Sequence, residues 1–126
     1  MKPISKSDID EKFGKVLREF RIKKGLTQEQ LSEKLGISLK YISRIENGNN
    51  GIKTQTLIKY INILGFTPNT IYKDFIENKD VKYDIELAET ICSLPKGKKE
   101  FIKNILPALV DFEPDDKNNE DINKEK

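Results

Sequence analysis

Ser43 and Arg44 follow Lys40 at three- and four-residue spacing, so a helix starting after Ser38 would turn hydrogen-bond donors to one side. Ile42 and Ile45 would then fall on the opposite side. The chemistry open to such a face is recognition rather than bond making. An ammonium or guanidinium at Lys40 or Arg44 suits the N7 and O6 acceptors of guanine, and Leu39 suits a thymine methyl. Tyr41 has two readings, contact with a base or backbone and packing against the preceding helix. Catalysis has much less to work with. The chain has no histidine and one cysteine, Cys92, which leaves no ligand set for zinc and no imidazole for proton transfer. The acid pairs Asp8/Asp10 and Asp115/Asp116 fall at a terminus and in a tail read as mobile, which cannot hold reacting groups in place. No enzyme, metal site or cofactor is expected.

Several short helices must position that face. Ile9, Phe13, Val16, Leu17 and Phe20 recur at helical spacing from Ser7 onward, and Gly25 ends this first helix after Lys23 and Lys24. Thr27 starts a second, with Gln30 completing a capping box and Leu26 and Leu31 forming a hydrophobic staple. Leu31 and Leu35 face inward, and Gly36 stops the helix. Ser38 caps a third helix that runs to about Asn47 and closes on Gly48. It turns Ile42 and Ile45 inward and leaves Leu39, Lys40, Ser43, Arg44 and Asn47 largely outward. After the loop from Asn47 to Gly51, a fourth helix from Thr54 to Leu64 is expected to bury Leu57, Ile58, Ile61 and Leu64. A fifth starts at Thr67-Pro68, buries Ile71, Tyr72 and Phe75, and ends near Asn78.

Charge is distributed unevenly along the chain. Residues 1–80 hold 15 Lys/Arg against 10 Asp/Glu, whereas residues 113–126 hold three Lys against six acids. The basic excess marks where an anionic partner would dock. No apolar run approaches the ~18 residues of a membrane span, and the start lacks the apolar core of a signal peptide. A cytoplasmic location without a membrane partner is therefore expected. Cys92 reads as a small buried hydrophobe.

The segment LTQEQLSEKLGISLKYISRIENG, residues 26–48, has the form of two capped helices joined by a glycine-containing turn. With its flanks it resembles the Cro/cI-type, or XRE, helix-turn-helix family. The matching residues are Leu17-Arg18-Glu19-Phe20-Arg21, Gly25-Leu26-Thr27-Gln28, Leu31, Leu35-Gly36-Ile37-Ser38, and Tyr41 through Gly48. The resemblance implies an all-α, five-helix lambda-repressor-like DNA-binding domain and double-stranded DNA as partner. Thr27 and Gln28 would meet a backbone phosphate. Ser38, Leu39, Lys40, Ser43 and Arg44 would face the major groove, and Asn47, Asn49 and Asn50 would contact phosphates. It also implies a structural pair of Arg21 with Glu46. Leu39 stands where several family members carry Gln, so base preference does not carry over.

The expected organisation is a reader over 7–78, a helical hairpin over 84–112 and an acidic disordered tail over 113–126. The hairpin helices read as Asp84–Leu94 and Lys96–Phe112, with Pro107 kinking the second or ending it early. Phe101, Ile102, Ile105, Leu106, Leu109, Val110 and Phe112 form a broad apolar stripe. It would serve as a homodimer or higher-oligomer contact, or else pack back on residues 54–78. A reader followed by a helical hairpin is also similar to SinR-type repressors, which would make the hairpin the place for an antagonist protein. The expected function is a dimeric repressor. The alternative is an antitoxin-like interaction module whose hairpin binds a protein partner.

Overall fold

A computed structural model describes residues 3–114, and the expected acidic tail lies almost wholly outside these described residues. They form helices and connections without a strand, so the all-α expectation is borne out. The helices are α1 (Lys6–Lys23), α2 (Gln28–Leu35), α3 (Leu39–Glu46), α4 (Thr54–Leu64), α5 (Pro68–Tyr72) with a 3-10 turn over Lys73–Phe75, α6 (Lys79–Cys92) and α7 (Lys96–Asp111). The described residues divide into two compact units, one ending at Glu86 and the other beginning at Leu87.

Local chemistry sets most helix ends of the first unit. Ser5 accepts a hydrogen bond from the Asp8 amide at 3.1 Å and starts α1. At α2 the Thr27 hydroxyl accepts from the Gln30 amide at 3.0 Å, and the Gln30 side chain accepts from the Thr27 amide at 2.9 Å. Ser38 caps α3 in the same way, accepting from the Tyr41 amide at 3.1 Å. Gly36 ends α2 at φ 67°, a left-handed conformation that costs a side chain strain, and thereby sets the direction of the turn into α3.

Leu17, Leu31, Ile42, Ile45, Leu64 and Ile71 are almost completely buried and form the centre of this unit. Phe20 stacks on Phe66 with ring centroids 4.7 Å apart, tying the end of α1 to the segment after α4. Two inward faces differ from expectation. On α4 it is Tyr60, 0% exposed, that fills the core, while Ile58 is 52% exposed and Ile61 half-buried. The buried row runs Leu57, Tyr60, Leu64, one residue around the helix from the Ile58–Ile61 row. On α5 Tyr72 is exposed, because the helix gives way to a 3-10 turn; its ring meets Phe13 edge-on at 5.4 Å. That turn ends at Phe75 rather than near Asn78.

α6 starts at Lys79, five residues before the expected Asp84, because the Asn78 side chain accepts from the Val81 amide at 3.1 Å. Val81 and Tyr83 are exposed, so this first turn carries no apolar periodicity. Asp8 and Asp10 lie on α1, a helix, rather than on a mobile terminus. Cys92 is exposed at the last position of α6, not buried. In the second unit α7 continues four residues past Pro107 to Asp111, so the proline does not end it. A proline inside a helix removes one backbone bond, and the remaining ones hold the helix here.

Candidate nucleic-acid interface

The amphipathic α3 buries Ile42, Ile45 and Glu46, and Leu39, Lys40 and Arg44 stand exposed on its other side. Ser43 is half-buried rather than fully outward. Ser38 is exposed, but its hydroxyl is engaged as the cap. Tyr41 is half-buried against the core, and its hydroxyl accepts a long 3.4 Å bond from the Lys53 amide ahead of α4. The ring thus packs toward the core while the hydroxyl reaches the approach to α4.

A buried ion pair holds α3 against α1. The Arg21 Nε donates to both Glu46 carboxylate oxygens at 3.0 and 2.9 Å, and its Nη2 lies 2.9 Å from Oε1. The two side chains are 11% and 1% exposed. The Arg21 Nη1 also donates to the Leu26 carbonyl at 2.7 Å, and the Gln28 amide donates to Glu46 Oε2 at 3.4 Å. One guanidinium–carboxylate pair therefore joins the end of α1, the entry to α2 and the end of α3. Fork-to-fork geometry of this kind fixes orientation as well as distance.

Thr27 is exposed and Gln28 half-buried at the start of α2, and Leu39 lies near them at the start of α3. Together with Arg21, Leu26 and Glu29 they line an open cleft of about 440 Å³. After α3, the Asn49 and Asn50 amides donate to the Arg44 carbonyl at 2.9 and 3.3 Å. Asn47 and Asn49 are exposed, and Asn50 is half-buried. The cleft thus brings Thr27, Gln28 and Leu39 together, and backbone hydrogen bonds hold the Asn49–Asn50 loop against the end of α3.

Sequence reasoning passed over two residues here. Glu29 places a carboxylate in the cleft, and its only signal is its position two residues after the cap. Tyr60 lies within electrostatic reach of the Arg21–Glu46 pair, and its hydroxyl has no hydrogen-bond partner among the described residues. Burial, and secondarily Glu46, pushes this phenol well above its ordinary range. Tyr60→Phe removes a buried, unpaired hydroxyl, so it should raise stability by about 1 kcal/mol. The raised folded value also means that only the unfolded chain loses this proton just above pH ~10, which favours unfolding there. Urea titrations at neutral and alkaline pH should show the advantage of the Phe variant growing above pH ~10.

The stripe on α7 belongs to the second unit. Phe101, Ile105, Leu106, Leu109, Val110 and Phe112 are exposed, and Ile102 is half-buried.

Residues 17–71 match the family model described as Helix-turn-helix. The restriction-modification controller protein C.AhdI from Aeromonas hydrophila is 32% identical, the match covering 52% of this chain and 97% of that one, with a TM-score of 0.48. Residues 17–71 are therefore a helix-turn-helix segment of the XRE type. That segment marks the chain as a DNA-binding transcription regulator. Two structures of the clp gene regulator ClgR from Corynebacterium glutamicum are also similar. One is 28% identical, over 56% of this chain and 86% of that one, with a TM-score of 0.48. The other is 20% identical, over 83% and 94%, with a TM-score of 0.49. No curated protein matches the chain. Among the described residues no helix is long and apolar enough to cross a membrane.

Proposed function

We propose that this helix-turn-helix regulator is a cytoplasmic dimeric repressor that reads a two-fold symmetric operator through α3 in the major groove. The observation that supports this reading is the division of α3 into a clamped, buried side and an exposed side bearing Leu39, Lys40 and Arg44. A helix so held presents base-reading groups in a fixed register, and the entry to α2, with Thr27 exposed and Gln28 half-buried, faces a phosphate. Asn47, Asn49 and Asn50 then meet the backbone beyond the recognition helix, and Ser38, Tyr41 and Ser43 line its groove side. Residues 7–78 form the reader and residues 84–112 the self-association segment. Two readers address half-sites ~34 Å apart, which gives specificity that one short helix lacks. Occupying promoter DNA suffices to repress.

Selection from random-sequence DNA at two salt concentrations tests this. Wild type should enrich a symmetric consensus. Lys40→Ala/Arg44→Ala should lose about 1–3 kcal/mol for each good base contact and no longer distinguish the consensus from other DNA. Binding without a consensus, steeply salt-dependent and unchanged by the substitutions, would reduce the interaction to backbone attraction.

A further inference from the structure

The charges on α7 run against its own dipole. Helices favour acids in the first turn and bases in the last. Here Lys96, Lys98 and Lys99 open the helix with no acid in its first turn, Lys103 follows, and only Glu100 offsets them. Asp111 ends the helix with no base in its last turn, and Glu113 comes just after. No side chain caps the start. Between these ends Phe101, Ile105, Leu109 and Phe112 recur at four-, four- and three-residue spacing and are exposed, with Val110 beside them 81% exposed.

We propose that α7 pairs antiparallel with α7 of a second copy, centred near Ile105, each lysine-rich start lying against the other's acidic end. This rests on the self-association reading above and adds the contact surface, its polarity and its register. Charge complementarity selects the occupant. Antiparallel pairing sets Lys96, Lys98 and Lys99 near Asp111 and Glu113 of the second copy twice over, by symmetry, and opposes the helix dipoles as well. Parallel pairing would place lysines on lysines and acids on acids. An arrangement unfavourable within one helix thus becomes favourable between two. The exposed row supplies the apolar contact, with Phe101 at the level of Leu109 of the second copy.

Cysteine crosslinking of the full chain in a Cys92→Ser background tests polarity. Ile105→Cys should oxidise to a disulfide-linked dimer and Lys98→Cys alone should not, while a mixture of Lys98→Cys with Phe112→Cys should crosslink. Equal crosslinking of Lys98→Cys with itself would mean parallel helices and overturn the proposal. Sedimentation at low salt provides the second arm. Lys96→Glu/Lys98→Glu/Lys99→Glu should weaken self-association at least about tenfold, and adding Asp111→Lys/Glu113→Lys should restore it. A wild-type monomer at every concentration would remove the self-association reading itself. A wild-type dimer indifferent to these charges, with no crosslink at 105, would leave that reading standing and refute only the antiparallel α7 contact.

Discussion

Gly14→Ala is expected to cost about 3 kcal/mol, the upper end for overpacking, and to lower Tm by roughly 15 °C. A β-carbon at position 14 would collide with the Ile45 carbonyl oxygen and lie 2.9 Å from that of Glu46. Both obstacles are backbone atoms at the end of α3, so no side-chain rotation relieves the contact. α1 and α3 must move apart, which strains the Arg21–Glu46 pair and re-aims α3. DNA affinity should therefore fall even where the variant remains folded. Gly97→Ala on α7 provides the control. An added β-carbon there meets nothing within 4 Å, and alanine replaces glycine inside a helix. At the second residue of the helix that change should leave stability within about 0.5 kcal/mol of wild type. Thermal unfolding of both variants, with operator titration of the folded ones, checks the pair; a Gly14→Ala protein as stable as wild type would refute the close approach of α1 to α3.

Breaking the buried ion pair should be as damaging. Glu46→Ala leaves the Arg21 guanidinium buried with the Leu26 carbonyl as its main remaining acceptor. Arg21→Ala leaves the Glu46 carboxylate buried with only the long Gln28 bond. Each single change should cost about 3–5 kcal/mol, because an uncompensated charge stays out of water. Replacing both partners with apolar residues, as in Arg21→Met/Glu46→Leu, should recover much of the loss, since neither charge then remains. A double-mutant cycle in urea measures this directly. Single-variant losses below about 1 kcal/mol would show that the pair orients α3 without stabilising it.

The sequence by itself determined the parts that local chemistry controls. Caps at Thr27 and Ser38 and the stop at Gly36 depend on residues within three or four positions, so the helix-turn-helix was readable to within a residue or two. Its family followed from the same stretch. The buried pair of Arg21 and Glu46 lies 25 positions apart, and it was reached through family resemblance rather than periodicity.

Tertiary structure decided what depends on neighbours distant in the chain. Ile58 and Tyr60 are both apolar enough to be buried, and packing chose Tyr60 although its hydroxyl is left unpaired. Tyr72 stayed out because a 3-10 turn replaced the next helical turn. α6 begins five residues earlier than its apolar pattern indicates because an exposed first turn needs a cap rather than a core. Gly14 gives no sign in the sequence that it differs from any other helical glycine. Its requirement comes wholly from the α3 carbonyls against which it lies, since only the folded chain brings them together.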